Sequence, residues 1–361
     1  MFQQSLRLFI FLLLGSIAWA HGNHQPPFPG AKSALKQCDS AFEKRGHDEQ
    51  AAQRREQRAK SLRRELGLAE DRPLLRKRSI EDAWKWGNKS HLSDLGLTAM
   101  DMEPARLFAN SSCVLAPETI FGPYYALGEH VRSNLREDQP GVNMFVELEF
   151  FDIETCKPLQ GVVIDWWNAN SSGVYSGAVA DYYNPSLPAN GDGSEDPGNI
   201  NTTFLRWIQT TDSNGIVHFA TIFPGHYAAR ATHTHLTAHL GGNFFPNGTF
   251  ISNETAHTTQ IFFDEHLRGE IYKYYPYTLQ DGVPIVLDSD YSFIGEAASA
   301  GYDPYLQYVL LGNNVTDGIF GWMRMGINTS ASYPLTAVSR LGEDGGTALR
   351  DLAAYVSGEV H

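Results

Sequence analysis

The amino-acid sequence predicts a mainly β protein, an antiparallel sandwich or barrel, with a helical N-terminal extension. After about residue 108 the chain is rich in β-branched and aromatic residues, and clusters of Gly, Asn, Asp and Pro interrupt it. Short strands at such spacing are typical of sandwiches and barrels. Five segments carry this pattern: FVELEFFD (145–152), GVVIDWWNA (161–169), TTFLRWIQTTD (202–212), GIVHFATIF (215–223) and TTQIFF (258–263).

The N-terminal extension has a different composition. Residues 33–70 consist largely of Ala, Glu, Gln, Arg and Leu, which favour helices. Because large apolar residues are few, we expect a charged helix that is surrounded by solvent. A second interpretation is that Lys77-Arg78 is a dibasic processing site, which would make residues 21–78 a removable pro-region.

Two connections in the β region have recognisable turn or loop composition. The tetrapeptide Asp-Ser-Asn-Gly at 212–215 predicts a hairpin turn that joins the strands on either side of it. The polar segment 184–203 contains no apolar pattern that could pack, so it predicts a surface loop.

The N-terminus predicts export from the cell. Met1 to Ala20 contains Arg7, the apolar run FIFLLLGSI and a small-residue ending, which are the features of a secretory signal peptide. No later segment approaches the roughly 18 apolar residues of a membrane span, so we expect a soluble mature protein. Eight Asn-x-Ser/Thr sequons favour a secreted, extracellular glycoprotein. They are Asn88, Asn110, Asn170, Asn201, Asn247, Asn253, Asn314 and Asn328.

The charge distribution excludes some partners. The chain carries a net charge of −13; residues 1–78 carry +7, so residues 79–361 carry −20. A body this acidic repels nucleic acid and anionic membrane surfaces, which favours a small-molecule partner.

Three cysteines occur, Cys38, Cys113 and Cys156. In an oxidising compartment Cys113 and Cys156 could pair, which would contribute about 4 kcal/mol in the chain-entropy model. Cys38 would then be left over in a segment that is mobile or removed.

A His-x-His pair suggests a metal site. On a strand, His233 and His235 project from the same face, so both imidazoles could bind one ion. His239 could join them only if the strand continues. The pattern by itself is shared by zinc hydrolases, cupins and ordinary strand histidines.

Two tyrosines make the pair more specific. Tyr227 follows a Pro-Gly turn, Tyr175 follows a strand and a Gly turn, and Arg230 lies three residues before His233. No Asp, Glu or Cys lies in the stretch from Tyr227 to the histidines, which argues against a zinc or ferrous site. Phenolate formation at pH 7 costs about 4 kcal/mol, and a hard cation such as ferric iron would offset this cost.

Four segments in this order resemble the intradiol ring-cleavage dioxygenases, in particular their secreted, fungal-type extracellular members. The resemblance covers about 155 residues, and it is specific because the segments occur together. They are CVLAPETIFGPYY (113–125), CKPLQGVVIDWWNANSSGVYSG (156–177), TDSNGIVHFATIFPGHYAARATHTH (211–235) and HTTQIFFDEHL (257–267).

The resemblance implies a β-sandwich and a role for particular residues. Tyr175, Tyr227, His233 and His235 would be the ligands of one Fe(3+) per chain, and Tyr227 would leave the metal to take up a proton. The substrate-side residues implied are Arg230 and Gln260, which are also catalytic, and the loop Gly122, Pro123 and Tyr124. Because Cys113 and Cys156 each open a matching segment, the resemblance also favours their disulfide.

Some positions depart from the family pattern. Only five residues separate Tyr227 from His233, which is similar to the compact secreted branch and implies an open pocket. Trp167 and Thr234 replace residues that are usual in relatives, and we expect neither to touch a ligand. The N-terminal segment lacks the apolar stripe of the family's dimerisation helices, so no oligomeric state is predicted.

We therefore expect a secreted ferric dioxygenase that uses O2 to cleave catechol-type rings between the two hydroxyl-bearing carbons, giving cis,cis-muconate-type products. The alternatives are a non-catalytic aromatic- or carbohydrate-binding sandwich and a zinc hydrolase built on the His-x-His pair. The expected domains are a signal peptide at 1–20, the basic extension at 21–107, a β-sandwich catalytic domain at 108–340 and a C-terminal tail at 341–361.

Overall fold

A computed structural model describes residues 31–68, 113–114, 124–179, 196–228, 230–280, 282–288, 294, 303–335, 337–342 and 344–349. In this part of the chain, two large sheets form a β-sandwich and two N-terminal helices pack on one outer face. The predicted mainly β fold class with a helical N-terminal part is confirmed. Within the same residues, no helix combines the length and apolar composition that a membrane crossing requires.

The helices are α1 Ala31–Arg45, α2 His47–Glu65 and α3 Glu265–Ile271. The strands are β1 Cys113–Val114, β2 Ala126–Leu127, β3 Glu129–His130, β4 Asn143–Asp152, β5 Val163–Trp167, β6 Arg206–Thr210, β7 Ile216–Ile222, β8 His233–His239, β9 Asn243–Phe244, β10 Thr249–Ile251, β11 Glu254–Thr255, β12 His257–Phe262, β13 Gln307–Leu310, β14 Ile319–Ile327, β15 Tyr333–Pro334, β16 Ser339–Gly342 and β17 Gly345–Ala348.

The first sheet has the strand order β1-β14-β4-β7, with β13 also paired to β14, and the second sheet has the order β12-β8-β5-β6. The second sheet is antiparallel throughout, whereas β14 runs parallel to both β1 and β4. Alternation along the strands sends one set of side chains between the sheets. This core includes Met144, Val146, Leu148, Phe150, Ile164, Trp166, Leu236, Ala238, Met323 and Met325.

The turn at 212–215 forms, but it is not a hairpin. Asp212 accepts the Gly215 N–H at its carbonyl at 3.0 Å, yet β6 belongs to the second sheet and β7 to the first. The turn therefore carries the chain across the sandwich. Gly215 has a φ of +74°, and a Cβ there would lie 2.3 Å from the carbonyl oxygen of Phe150, so the turn docks against β4.

The N-terminal helices cover the outer face of the first sheet, so the expectation of a solvated helix is wrong. Arg55 is fully buried; its Nε donates to Glu147 at 3.1 Å and its Nη2 to Glu149 at 2.8 Å. Arg324 of β14 also donates to Glu149, at 3.1 Å. Burial of the outward carboxylates of β4 is offset by the arginines that pair with them, and α2 supplies Arg54 and Arg55 together with the apolar contact of Leu62.

The disulfide joins Cys38 to Cys156, with a Cα–Cα distance of 5.3 Å, so the predicted Cys113–Cys156 pairing is wrong. Cys113 lies on β1, which is separated from β4 by β14. This places it about two strand spacings, or about 10 Å, from β4, and Cys156 follows the end of that strand. Docking of α1 brings Cys38 to the turn after β4 instead.

The structure also describes residues at the predicted domain boundary at 340 and part of the predicted loop at 184–203. The strand β16 spans the predicted boundary at residue 340 and pairs with both β17 and β2. Of the predicted loop 184–203, residues 196–203 are described and include a 3₁₀ turn at Pro197–Asn201. Predictions that lie outside the described residues concern the signal peptide, Lys77-Arg78, Asn88, Asn110, Gly122 and Pro123.

The Cys38–Cys156 bond closes a loop with a sequence separation of 118 residues. Replacing Cys38 by Ser should lower the free energy of unfolding by about 5 kcal/mol, because the unfolded chain regains that loop entropy. Denaturant unfolding would measure this loss. The control, Cys113→Ser, should change the value by less than about 1 kcal/mol, and equal losses in both variants would contradict the pairing.

The carboxylate network predicts acid sensitivity. Burial raises the pKa of Glu149, but the positive charges of Arg55, Arg324 and Arg54 and the contact with His47 outweigh burial and hold it well below its ordinary value. A carboxyl with a lowered pKa stabilises the fold above its unfolded pKa of about 4.3, and this stability is lost as the pH falls through the folded pKa.

We therefore expect the free energy of unfolding to fall below about pH 4, and Glu149→Gln to make this fall shallower. At pH 7 the same variant should cost about 3–5 kcal/mol, because buried arginines lose a partner. Urea unfolding from pH 2 to 7 measures both effects. The exposed Glu154→Gln serves as control, and an unchanged pH slope in Glu149→Gln would refute the expectation.

Candidate functional site

The outer face of the second sheet carries the histidine pair. His233 and His235 occupy alternate positions of β8, so both imidazoles leave the same side of the strand, and both are buried. Leu236 and Ala238, on the other side, belong to the sandwich core. Strand alternation therefore separates a polar site from the apolar core along one strand.

The structure brings both tyrosines to this pair. The Nε2 atom of His233 lies 3.1 Å from Nε2 of His235, 3.2 Å from Oη of Tyr227 and 3.5 Å from Oη of Tyr175. Two donor atoms that each bind one ion at about 2.1 Å lie about 3.0–3.4 Å apart for bond angles of about 90–110°. The spacing of the four atoms fits ligands around a single metal ion.

His239 does not belong to this set. The strand β8 continues to His239, but Nδ1 of its ring donates to the carbonyl of Glu254 at 2.9 Å. Its Cα is four residues, or about 13 Å, from that of His235. In the described residues, no group of three His, Cys, Asp or Glu could hold a metal ion. The donor set thus consists of two imidazoles and two phenols.

A pair of closely packed turns places the tyrosines. The side-chain oxygen of Asn170 accepts two backbone N–H groups at 3.0 Å each and closes the turn before Tyr175. In this turn Gly173 has a φ of +79°, and a Cβ there would lie 2.1 Å from the carbonyl oxygen of His226, the residue before Tyr227. Only glycine allows the two turns to approach this closely.

The imidazole rings are held by their neighbours. Nδ1 of His233 donates to the carbonyl of Ala231 at 2.7 Å, which leaves Nε2 for a metal. Trp167 of β5 stacks on the ring of His235, with 4.9 Å between centroids and 2° between planes. The expectation that Trp167 touches no ligand is therefore wrong. Strand pairing sets this contact, since Trp167 and His235 face each other across β5 and β8.

Burial keeps the donor set neutral. It raises the pKa of Tyr175 well above its ordinary value, and that of Tyr227 as well, although the charge of Arg230 opposes the latter shift. Burial lowers the pKa of His233 to about 4 and that of His235 well below its ordinary value. At pH 7 the imidazoles are in the form that binds metals, and the phenols ionise only beside a strong positive charge.

Three predicted substrate-side residues surround the donor set. Tyr124 stacks on Tyr175 with 4.7 Å between centroids. Gln260 faces His235 across β12 and β8, and its buried Oε1 has no hydrogen-bond partner in the described part of the chain. Arg230 is half-buried, and its charge acts on Tyr227. A buried, unpartnered acceptor beside the donor set is suited to a donor from a bound molecule.

Comparisons with known proteins relate this chain to a family. The family profile described as Dioxygenase matches residues 120–274. An intradiol ring-cleavage dioxygenase from Tetranychus urticae is 31% identical; the match covers 62% of this chain and 97% of that chain, with a TM-score of 0.47. Catechol 1,2-dioxygenase from Pseudomonas arvilla C-1 is 19% identical over 61% of this chain and 65% of that chain, with a TM-score of 0.35. A comparison with curated proteins gave no match.

The identity to the Tetranychus urticae protein extends over nearly all of that protein's length. This chain therefore belongs to the intradiol ring-cleavage dioxygenases, and the predicted family is confirmed. It is a ring-cleaving dioxygenase, an enzyme that incorporates oxygen from O2 into an aromatic substrate.

The close contact at Gly173 predicts a large effect of one methyl group. Gly173→Ala should reduce oxygen uptake about 100-fold, because the clash with the His226 carbonyl displaces the turn of Tyr175 by a fraction of an ångström or more. Gly161→Ala is the matched control: its φ is +82°, and nothing lies within 4 Å of its Cβ position. That variant should lose about 1 kcal/mol of stability and keep its rate.

Proposed function

We propose that this chain is a secreted ferric dioxygenase that opens catechol-type rings between the two hydroxyl-bearing carbons with O2 and forms cis,cis-muconate-type products. The convergence of two phenol oxygens and two imidazole nitrogens, with neighbouring atoms 3.1–3.5 Å apart, carries the proposal. Membership of the family supports the ring cleavage. The short connection from Tyr227 to His233 supports the compact secreted, fungal-type branch.

The donor chemistry supports Fe(3+) at this place, held by Tyr175, Tyr227, His233 and His235. A phenol with a pKa of about 10 costs about 4 kcal/mol to ionise at pH 7, and burial increases the cost. A hard trivalent cation offsets it, whereas zinc and ferrous sites usually include thiolates or carboxylates. When bound, ferric iron would take up both catechol oxygens and make the ring electron-rich enough to react with O2.

We assign the remaining roles in the reaction to side chains of the protein itself. Tyr227 lies outside the strands and is 7% exposed, against 1% for Tyr175, so we assign to Tyr227 the uptake of a catechol proton at its phenol oxygen. Arg230 stabilises negative charge as it develops on the substrate. We assign to Gln260, whose buried Oε1 is unpartnered in the described residues, a contact with the bound substrate, and the ring of Tyr124 forms a wall of the site.

Export is part of the proposal and has two supports besides the N-terminal signal. The buried Cys38–Cys156 bond is of a kind that persists in oxidising compartments. Among the six sequon asparagines that the structure describes, Asn201, Asn247, Asn253 and Asn314 are exposed. Asn170 and Asn328 are half-buried, and Nδ2 of Asn170 donates to Gln139 at 3.0 Å, so we expect no sugar on Asn170.

Tyr227→Phe tests the proton-accepting role. The variant should keep iron and lower kcat about 10²–10⁴-fold, because the substrate proton loses its acceptor. Oxygen uptake with catechol, iron content and the visible absorption band on the same sample measure this. Tyr274→Phe, at an exposed tyrosine, is the control and should keep the rate.

The wild-type protein separates the proposal from the alternatives. A red-brown protein that takes up oxygen with catechol, protocatechuate or hydroxyquinol supports it. Binding of these compounds without oxygen uptake by the iron-loaded protein would indicate a non-catalytic binding sandwich. Zinc as the native metal, with a colourless protein, would indicate a hydrolase.

A further inference from the structure

Arg206 is a buried arginine beside the donor set that the proposed chemistry does not use. It lies on β6 opposite Trp167, which in turn faces His235 across β5 and β8. The adjacent Trp207 points into the sandwich core, so alternation turns Arg206 to the outer face. The residue is 3% exposed, although arginine is rarely buried without specific partners.

The guanidinium of Arg206 binds the main chain beside two tyrosines whose rings stack on each other. Nε of Arg206 donates to the carbonyl of Ser176 at 2.9 Å and to its hydroxyl at 3.1 Å, and Ser176 directly follows Tyr175. Nη2 donates to the carbonyl of Tyr124. The rings of Tyr124 and Tyr175 stack at 4.7 Å with 19° between planes. The same side chain thus holds a donor of the site and the wall of its pocket.

The charge of Arg206 is balanced by a carboxylate. Its Nη1 donates to Glu129 at 2.9 Å, and Glu129 is itself buried. Asp165 lies in the same cluster; burial raises its pKa well above the ordinary value, and the charge of Glu129 raises it further, while Arg206 opposes the shift. Arg206 donates to Glu129 and makes no hydrogen bond to Asp165 in the described residues, so Glu129 is the carboxyl that is paired with the guanidinium.

We propose that Arg206, with Glu129 as its counter-ion, is a positioning residue that fixes Tyr175 and Tyr124 against each other in the site. The positioning of the two tyrosines by Arg206 is independent of the proposed function. Only the expected effect on the reaction rests on it. The planar guanidinium donates in three fixed directions, to Ser176, Tyr124 and Glu129, which a lysine ammonium on a flexible stem does not reproduce. Asn199 donates separately to the carbonyl of Tyr175 at 2.8 Å, so the turn loosens without Arg206 but keeps an anchor.

The first test uses the metal-free protein, so its result does not depend on iron or activity. Hydrogen exchange of backbone amides is compared in wild type and Arg206→Met. We expect exchange to become at least 10-fold faster in residues 174–178 and 124–127, and to change less than 2-fold in the strands of the first sheet. Unchanged exchange in both segments would overturn the proposal, and so would an equal increase throughout the molecule.

Arg132→Met is the matched control. Arg132 also donates to this strand, with Nη2 3.0 Å from the Arg206 carbonyl, but it pairs with Glu137 near the surface and makes no contact with the two rings in the described residues. It should leave exchange at 174–178 and 124–127 unchanged; faster exchange there, equal to that of Arg206→Met, would overturn the proposal.

Three further variants test the proposal in case Arg206→Met folds poorly. Glu129→Gln should loosen the same two segments because Arg206 loses its paired carboxylate, whereas Asp165→Asn, at a carboxyl to which Arg206 donates no hydrogen bond in the described residues, should not. Arg206→Lys should fold and still fail to restore slow exchange. Restoration by lysine, or equal loosening by Asp165→Asn, would overturn the assignment.

The iron-loaded protein provides the second readout. Arg206→Met should shift the visible absorption band, lower kcat at least 10-fold and raise KM for catechol, because Tyr175 and the wall at Tyr124 move together. Wild-type band position, kcat and KM in Arg206→Met would overturn the proposal. A wild-type protein without oxygen uptake would instead contradict the proposed function and leave the exchange result standing.

Discussion

The close approach of two phenols and two imidazoles is the constraint on which the rest of this structure depends. The other three donor atoms lie within 3.5 Å of Nε2 of His233, and all four side chains are buried, so the set is suited to the cation proposed above. The surrounding contacts resist relaxation of the set. Gly173 lets one turn press against the His226 carbonyl, and Trp167 lies flat on His235. Rigid placement of this kind is what a preorganised site requires.

The two outer faces of the sandwich have different tasks. The core between the sheets is apolar and contains the inward-facing side chains of both sheets. The outer face of the second sheet holds the donor set under the segments that carry Tyr124, Tyr175 and Tyr227. The outer face of the first sheet holds carboxylates that α2 covers with arginines. The site is thus built on a rigid sheet, while the remote face is closed by a helix pair and a disulfide.

Both faces depend on buried arginines that pair with glutamates. Such pairs contribute little net stability, since desolvation offsets most of the attraction, but a missing partner leaves a charge that is costly to bury. Arg55 therefore specifies how α2 docks on Glu147 and Glu149. Arg206 is suited to the corresponding task beside the tyrosines, with Glu129 as its partner. The charged pairs select one geometry where apolar contacts alone would permit several.

The sequence by itself determined the features that depend on local periodicity and residue chemistry. The strand pattern and the shared face of His233 and His235 follow from alternation along a strand, and the resemblance of four segments to a known family implied the phenol-imidazole donor set. Only the tertiary structure decided the partner of Cys156, the docking of α2, the passage at 212–215 between sheets and the stacking of Trp167. These features depend on which distant segments become neighbours. Local patterns predict which face of a strand or helix a side chain occupies, but they do not predict which distant segment packs against that face.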